Sequence, residues 1–166
     1  AVGNTVNYNG SLAQAVKCPG SGQYYHLTLS GSPTKSLTCN INVDGNLSIL
    51  AASRLDVTAA NNYSITLAGN WVNTSTNPDP FLQQSGLVII DGAGAQGLTA
   101  TLGETFFNLT VNKGDTLTLN DNVTVSGTAG GTLTMTSGII KTGTDTLILG
   151  TSCANYGTLN RTSGYV

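Results

Sequence analysis

The sequence predicts an all-β chain folded as a right-handed parallel β-helix (β-solenoid), with about three short strands in each turn. Three observations support this prediction: an internal repeat that relates the two halves of the chain, very short segments in which apolar and polar residues alternate, and apolar positions that recur at a regular spacing, as from Leu109 to Leu133 and from Val123 to Leu147. Apolar residues nowhere keep a helical spacing over ten or more positions, so no α-helix is expected.

The repeat is a match between the two halves of the chain. Residues 24–29 (YYHLTL) align with 106–111 (FFNLTV), and residues 41–45 (INVDG) align with 123–127 (VTVSG) at the same offset. Self-similarity at a fixed period is typical of solenoids and related repeat architectures. We therefore expect one continuous solenoid over residues 1–166, built from two homologous modules, 3–69 and 85–150, joined by 70–84.

Equivalent strands of successive turns should stack on one another. The predicted stacked pairs are Leu109 with Leu133, Leu117 with Ile139 and Val123 with Leu147 in the second module, and Leu27 with Leu47, Leu37 with Leu55 and Ile41 with Ile65 in the first. Each module would hold roughly four turns, giving about eight in all. Segments rich in Asn, Asp and Gly separate the strands and supply the tight turns.

The alternative fold is a tandem pair of immunoglobulin-like β-sandwiches, because short strands at this spacing also suit such domains. The Asn77-Pro78-Asp79-Pro80 segment would then be the linker. A sandwich more typically has longer strands, a higher aromatic content than the 6% present and a buried Trp between paired cysteines. Trp71 lies between Cys39 and Cys153 at unsuitable distances, which favours the solenoid.

Composition excludes several classes of function. Charged residues make up 8% of the chain and the net charge is −2, with no cluster among the six Lys and Arg residues. Binding to nucleic acid or to an anionic membrane surface is therefore not expected. No apolar stretch approaches the roughly 18 residues of a spanning helix. His26 is the only histidine, and the three cysteines form no C-x-x-C pair, so neither a metal site nor a cofactor is predicted.

Cys18 and Cys39 are the predicted disulfide. Their separation along the chain is close to the length of one turn. Residues one turn apart in a parallel stack lie about 4.8 Å from each other, which suits a disulfide. The bond would cross-link adjacent turns. Cys153 has no predicted role.

No catalytic constellation is predicted, and the chain is not expected to be an enzyme. Most of the Asp residues stand in turn contexts, where Asp side chains bond to nearby backbone amides. Convergence of Asp56, Asp79 and Asp91 in a groove would instead indicate a polysaccharide-degrading enzyme. Trp71 is a candidate sugar-stacking residue, although aromatic residues in short strands more often belong to a core.

The chain resembles the repeat regions of large secreted and surface-attached proteins of the Bacteroidota. The residues that carry the resemblance are Gly69-Asn70-Trp71, Gly92-x-Gly94-Ala95-Gln96, Phe107-Asn108-Leu109-Thr110-Val111, Leu133-Thr-Met-Thr-Ser137-Gly138-Ile139-Ile140 and Thr146-Leu-Ile-Leu-Gly150. The resemblance implies an extracellular, cell-surface location and a role as an adhesin, filament or spacer module. Its partners would be other surface or filament subunits, or extracellular glycans. A carbohydrate-binding or polysaccharide-degrading β-helix is the alternative.

The same resemblance implies two modification sites. Similar proteins carry O-glycans at Asp-Thr/Ser followed by an apolar residue, a pattern that Thr116 (Asp-Thr-Leu, 115–117) and Thr146 (Asp-Thr-Leu, 145–147) match. Such proteins also end in a separate sorting domain, whereas this sequence stops in what reads as the middle of a turn. We therefore expect it to be a segment of a longer protein.

Overall fold

The computed structural model describes residues 3–20, 23–127, 130–152 and 155–166, and the regular elements in these ranges are all β-strands. The chain winds through about seven turns of a right-handed parallel β-helix, as predicted. In chain order the strands are β1 Thr5–Tyr8, β2 Gln14–Val16, β3 Gln23–Tyr24, β4 His26–Leu29, β5 Thr34–Leu37, β6 Ile41–Val43, β7 Leu47–Ile49, β8 Arg54–Asp56, β9 Ile65–Leu67, β10 Trp71–Asn73, β11 Phe81–Leu82, β12 Leu87–Ile90, β13 Gln96–Ala100, β14 Glu104–Phe106, β15 Asn108–Leu119, β16 Val123–Val125, β17 Thr132–Lys141, β18 Leu147–Ser152, β19 Asn155–Tyr156 and β20 Thr158–Arg161.

The strands form three faces. The first face stacks β1, β4, β7, β10, β13 and then the second halves of β15 and β17. The second face stacks β2, β5, β8 and β11, followed by β14, β16 and β18. The third face stacks β3, β6, β9, β12, the first halves of β15 and β17, and β20. Because β15 and β17 run around a corner, they join the first and third faces into one sheet.

The core fills the inside of the winding because alternate residues of each strand point inward. One interior file on the first face consists of Leu27, Leu47, Trp71 and Leu98, each paired with the next one turn away. All four are at most 1% exposed. Each turn therefore buries its apolar side chains against its two neighbours, and no turn has a core of its own.

Four predicted stacked pairs are confirmed: Leu109 with Leu133, Val123 with Leu147, Leu27 with Leu47, and Ile41 with Ile65. The spacing between stacked residues is less regular than the sequence indicates. Partners are closer along the chain at Tyr24–Val43 and Glu104–Val123 than at Leu109–Leu133, and they are farther apart at Trp71–Leu98. Loops of different length between the strands account for this variation.

The other two predicted pairs are wrong. Leu117 pairs with Ile140, whereas Ile139 lies opposite Thr116 on the outside. At the corner between the Leu109–Leu133 pair and the Leu117–Ile140 pair, β17 has one residue fewer than β15. Leu55 pairs with Lys35, not with Leu37. The Lys35 side chain points inward and is fully buried, so an apolar pattern could not reveal that it occupies an interior position.

Matching strands of the two modules lie on different faces. His26–Leu29 lies on the first face, whereas its match, residues 108–111, lies on the third. Among the described strands, β4 and its match at the start of β15 are eleven strands apart. Eleven strands at three per turn make three full turns and two strands, so matching residues are rotated by one third of a turn. The repeat period is therefore slightly shorter than four turns, and the module of residues 3–69 holds three turns, β1 to β9, where four were predicted.

The alternative of two immunoglobulin-like sandwiches is wrong. Residues 77–80 form a loop between β10 and β11 within the fourth turn and link no domains. Parallel pairing continues past this loop, since β10 pairs with β13 and β9 pairs with β12. The chain is one solenoid of about seven turns where eight were expected. No helix in the described ranges is long and apolar enough to span a membrane.

Cys18 and Cys39 are joined in a disulfide, with their Cα atoms 5.9 Å apart. Cys18 follows β2 in the first turn and Cys39 follows β5 in the second. The bond therefore links adjacent turns, as the spacing predicts. Cys153 lies outside the described residues.

Candidate functional site

The second face is interrupted between the fourth and fifth turns. Strand β11 pairs with β8 below it, and β14 pairs with β16 above it, but β11 and β14 belong to separate sheets. A cleft of about 350 Å³ opens at this interruption. Its volume lies within the roughly 300–1,000 Å³ typical of small-molecule sites.

One wall of the cleft is the loop between β10 and β11, which lengthens the fourth turn. Arg54, from the turn below, fixes this loop: its Nε donates to the carbonyl oxygen of Asp79 at 2.8 Å and its Nη2 to Oδ1 of Asn77 at 3.4 Å. The N–H of Asp79 also donates to Oδ1 of Asn77 at 3.0 Å. The backbone of Asp79 is therefore held from both sides, while its side chain is exposed.

The opposite wall is the turn that leads into β14. Leu102 is 62% exposed at the rim of the cleft. Gly103 adopts a positive φ of 78°, and its N–H donates to the carbonyl oxygen of Ala100 at 2.6 Å. A residue with a side chain would be strained at this φ, so the turn favours glycine at this position.

Glu104 lies at the base of this wall with its carboxylate inside the solenoid. Trp71 Nε1 and Asn73 Nδ2, on the first face, both donate to Oε2 of Glu104, at 2.7 Å and 2.8 Å. Burial raises the pKa of Glu104 to about 7 because it disfavours the charged form, and the nearby Asp79 carboxylate acts in the same direction. The hydrogen bonds from Asn73, Trp71 and the Thr105 N–H oppose the rise.

The prediction that Trp71 stacks on a sugar is corrected by its burial. Trp71 is 1% exposed and packs edge-on against Phe81 and Phe106, with ring centroids 5.0 Å and 5.2 Å away. Its indole N–H is bonded to Glu104. The ring lies in the core beneath the cleft and offers no face to a ligand.

A second cavity of about 420 Å³ adjoins the first and shares Asp79 and Gln83 with it. It extends the cleft to Phe107, which is half-buried. The two cavities together form a groove along the interruption of the second face. We call this groove the inter-turn cleft.

The other predicted site residues lie away from the inter-turn cleft or at its margin. Thr116 is half-buried opposite Ile139, where β15 turns the corner onto the first face. Thr146 is exposed just before β18. Asp56 accepts a hydrogen bond from the N–H of Thr58 at 2.8 Å, as expected of an Asp at a turn. Asp91 lies at a different corner from Asp79, between β12 and β13. In the described part of the chain, no three His, Cys, Asp or Glu residues are grouped so that they could hold a metal ion.

Two buried lysines were missed by sequence reasoning. Lys35 Nζ donates to the carbonyl oxygens of Gly10 and Leu12, at 2.7 Å and 3.1 Å. Lys113 Nζ donates to those of Gly92 and Gly94, at 3.1 Å and 2.6 Å. Burial lowers the pKa of both ammonium groups.

The acceptor loops of these lysines are equivalent segments of the sequence repeat. In each loop a glutamine closes the turn: Gln14 accepts from the N–H of Gly10 at 2.8 Å, and Gln96 from that of Gly92 at 2.9 Å. The Gly-x-x-x-Gln match between the two modules was the signal available in the sequence. It marked the loops but gave no indication of the lysines that hold them.

Comparison with protein-family models, curated proteins and solved structures gave no match to this chain. The inter-turn cleft is therefore interpreted from its own geometry.

Proposed function

We propose that this chain is a rigid structural and adhesive segment of an extracellular surface or filament protein, with no catalytic role. The observation that supports this most is the unbroken stack of turns on the first and third faces. Interior residues one turn apart pair from Leu27 through Leu98 on the first face and from Ile41 through Leu133 on the third, and strand pairing continues from Leu133 to the exposed Leu159. Such a stack resists bending because every turn is hydrogen-bonded to both neighbours.

Two further features support an extracellular location. The Cys18–Cys39 disulfide suits an oxidising compartment, because cytosolic thiols are normally kept reduced. The outward residues in the middle of the third face are neutral, for example Thr66, Ile89 and Thr110. A neutral surface makes contacts that depend little on salt concentration, which suits adhesion outside the cell.

Surface labelling of the native cells tests this proposal. Intact cells are treated with a membrane-impermeant amine reagent, and modified lysines are identified by mass spectrometry. We expect modification of the exposed Lys17 and Lys141 and protection of the buried Lys35 and Lys113, which report that the fold is intact. Labelling that occurs only after lysis, or free thiols at Cys18 and Cys39 in the native protein, would contradict an extracellular role.

A further inference from the structure

We propose that the inter-turn cleft binds a segment of a neutral glycan. The cleft lies outside the continuous stack that underlies the proposed structural role, so either property can hold without the other. Its two cavities, about 350 and 420 Å³, are neighbours that share Asp79 and Gln83 in their linings. Two adjacent cavities of this kind fit an extended chain of small units better than one compact molecule.

The lining offers the groups that sugar hydroxyls bind. The exposed carboxylate of Asp79 accepts hydrogen bonds, the amide of Gln83 donates and accepts, and the hydroxyl of Thr124 does both. Asn122 offers its Nδ2 as a donor, since its Oδ1 already accepts from the N–H of Thr146 at 2.9 Å. Leu102 at one end and Phe107 at the other add apolar surface for the C–H faces of sugar rings. A few polar groups beside apolar surface are characteristic of sites that fix a ligand's orientation.

The charge of the lining favours a neutral glycan over an acidic one. The described residues that line the two cavities include no Lys or Arg, whereas Asp79 and Glu104 are both acidic. Arg54 binds the loop from outside the lining, and its Nε donates to the carbonyl oxygen of Asp79. A uronate or phosphate group would therefore meet a negative charge with no compensating cation.

Backbone geometry disfavours a peptide added as an extra strand. Such binding requires free N–H and C=O groups along the edge of a sheet. At this interruption the Thr105 N–H donates to Oε1 of Glu104 at 3.3 Å, and the Phe81 carbonyl oxygen accepts from the N–H of Gln83 at 3.1 Å. One edge-facing backbone group on each strand is thus satisfied internally, so an added strand would find a reduced set of partners, and the side chains supply the other binding groups.

The cleft is also rigid in advance of binding. Arg54 and Asn77 fix the backbone at Asp79, and β14 and β16 hold Thr124 on a paired strand. A ligand would therefore not have to order the loop, which lowers the cost of association.

Titration of the folded protein with oligosaccharides tests the proposal, with amide chemical shifts as the readout. The probes are cellotetraose, mannotetraose and the acidic tetragalacturonate. We expect at least one neutral probe to shift amides of residues 79–83, 102–107 and 122–124 with a Kd below about 1 mM, and tetragalacturonate to bind more weakly. Asp79→Asn should weaken binding about tenfold and Thr124→Val at least about threefold.

Thr110→Val is the matched control, because Thr110 is an outward, half-buried threonine in mid-strand on the third face. It should leave the affinity unchanged. The proposal is overturned if no neutral probe binds, if tetragalacturonate binds as tightly as the neutral probes, or if the cleft variants bind as well as the wild type. None of these results bears on the surface-labelling experiment, so a failure here leaves the structural role standing.

Discussion

Lys113 Nζ lies 2.6 Å from the carbonyl oxygen of Gly94, which belongs to the loop before β13. Lys35 makes the equivalent contact with Leu12 in the first module. In both cases a lysine from a later turn enters the solenoid and binds two carbonyl groups of an earlier loop. Since an unpaired buried carbonyl is costly, these lysines hold the loops in place.

Replacing Lys113 by Met should therefore destabilise the protein. Met fills a similar volume but leaves the carbonyls of Gly92 and Gly94 without donors, and we expect a loss of roughly 1–3 kcal/mol in the free energy of unfolding. Urea denaturation measures it. Lys141→Met is the control, because Lys141 is exposed and should change stability by less than about 0.5 kcal/mol. Equal effects of the two substitutions would refute the bridging role.

Glu104 should give the protein a distinctive dependence on pH. Its pKa is raised to about 7 in the folded state, so the folded protein keeps this proton at pH values where the unfolded chain loses it. Its contribution to stability is complete below about pH 4.5 and disappears as the pH rises to about 7, a total of roughly 3 kcal/mol.

The Glu104→Gln variant isolates this contribution. Glutamine can still accept from Trp71 and Asn73 but carries no charge, so the difference in stability between variant and wild type should grow from about pH 4.5 to about pH 7. Urea unfolding at several pH values measures the difference. Asp115→Asn, at an exposed position, serves as the control. A difference that stays constant over this range would show that Glu104 does not titrate as a buried acid.

The Cys18–Cys39 disulfide joins residues separated by 21 positions and links adjacent turns. The Cys18→Ser/Cys39→Ser double variant should lose about 3 kcal/mol of stability according to the chain-entropy model. Thermal unfolding with and without a reductant measures the effect. The reductant should destabilise the wild type and leave the double variant unchanged. If wild type and variant unfold alike without the reductant, the bond does not constrain the chain.

Much of the fold could be predicted because side chains alternate with period two in the strands. That alternation located the short strands, and their regular spacing along the chain placed Leu109 over Leu133 and Val123 over Leu147 correctly. It failed at Lys35, because a charged residue on an inward position looks like a surface residue in the sequence. The repeat between the modules revealed similar strands but not the rotation that relates them, since the number of strands per turn determines which face each copy occupies.

The inter-turn cleft could not be predicted for a related reason. The sequence marks residues 77–80 only as the linker of the alternative two-domain fold, because their place inside one turn depends on pairing between strands on either side of them. Glu104 gave no local signal, because its partners Trp71 and Asn73 are distant from it in the chain. Trp71 was singled out for its chemistry, and only its packing revealed its place in the core.

Core and surface positions in one strand should differ sharply in their tolerance of substitution. Leu133 is fully buried, whereas its neighbour Thr134 points outward. Leu133→Ala should cost about 2–5 kcal/mol, and Thr134→Ala less than about 0.5 kcal/mol. Chemical denaturation of both variants gives the comparison. Similar losses at the two positions would mean that the strand has been assigned the wrong face.

The stacking of turns is tested most directly by distances along the third face. Asn42, Thr66, Ile89, Thr110, Thr134 and Asn160 pair successively, each with the next, one turn apart. Spin labels are placed at Asn42→Cys together with Ile89→Cys, Thr134→Cys or Asn160→Cys, in a Cys153→Ser background with the Cys18–Cys39 disulfide intact. Dipolar spectroscopy then measures the separation of the two labels. The solenoid predicts separations that grow by about 4.8 Å per turn, to roughly 24 Å between Asn42 and Asn160. Separations that do not increase in proportion to the number of turns would contradict it.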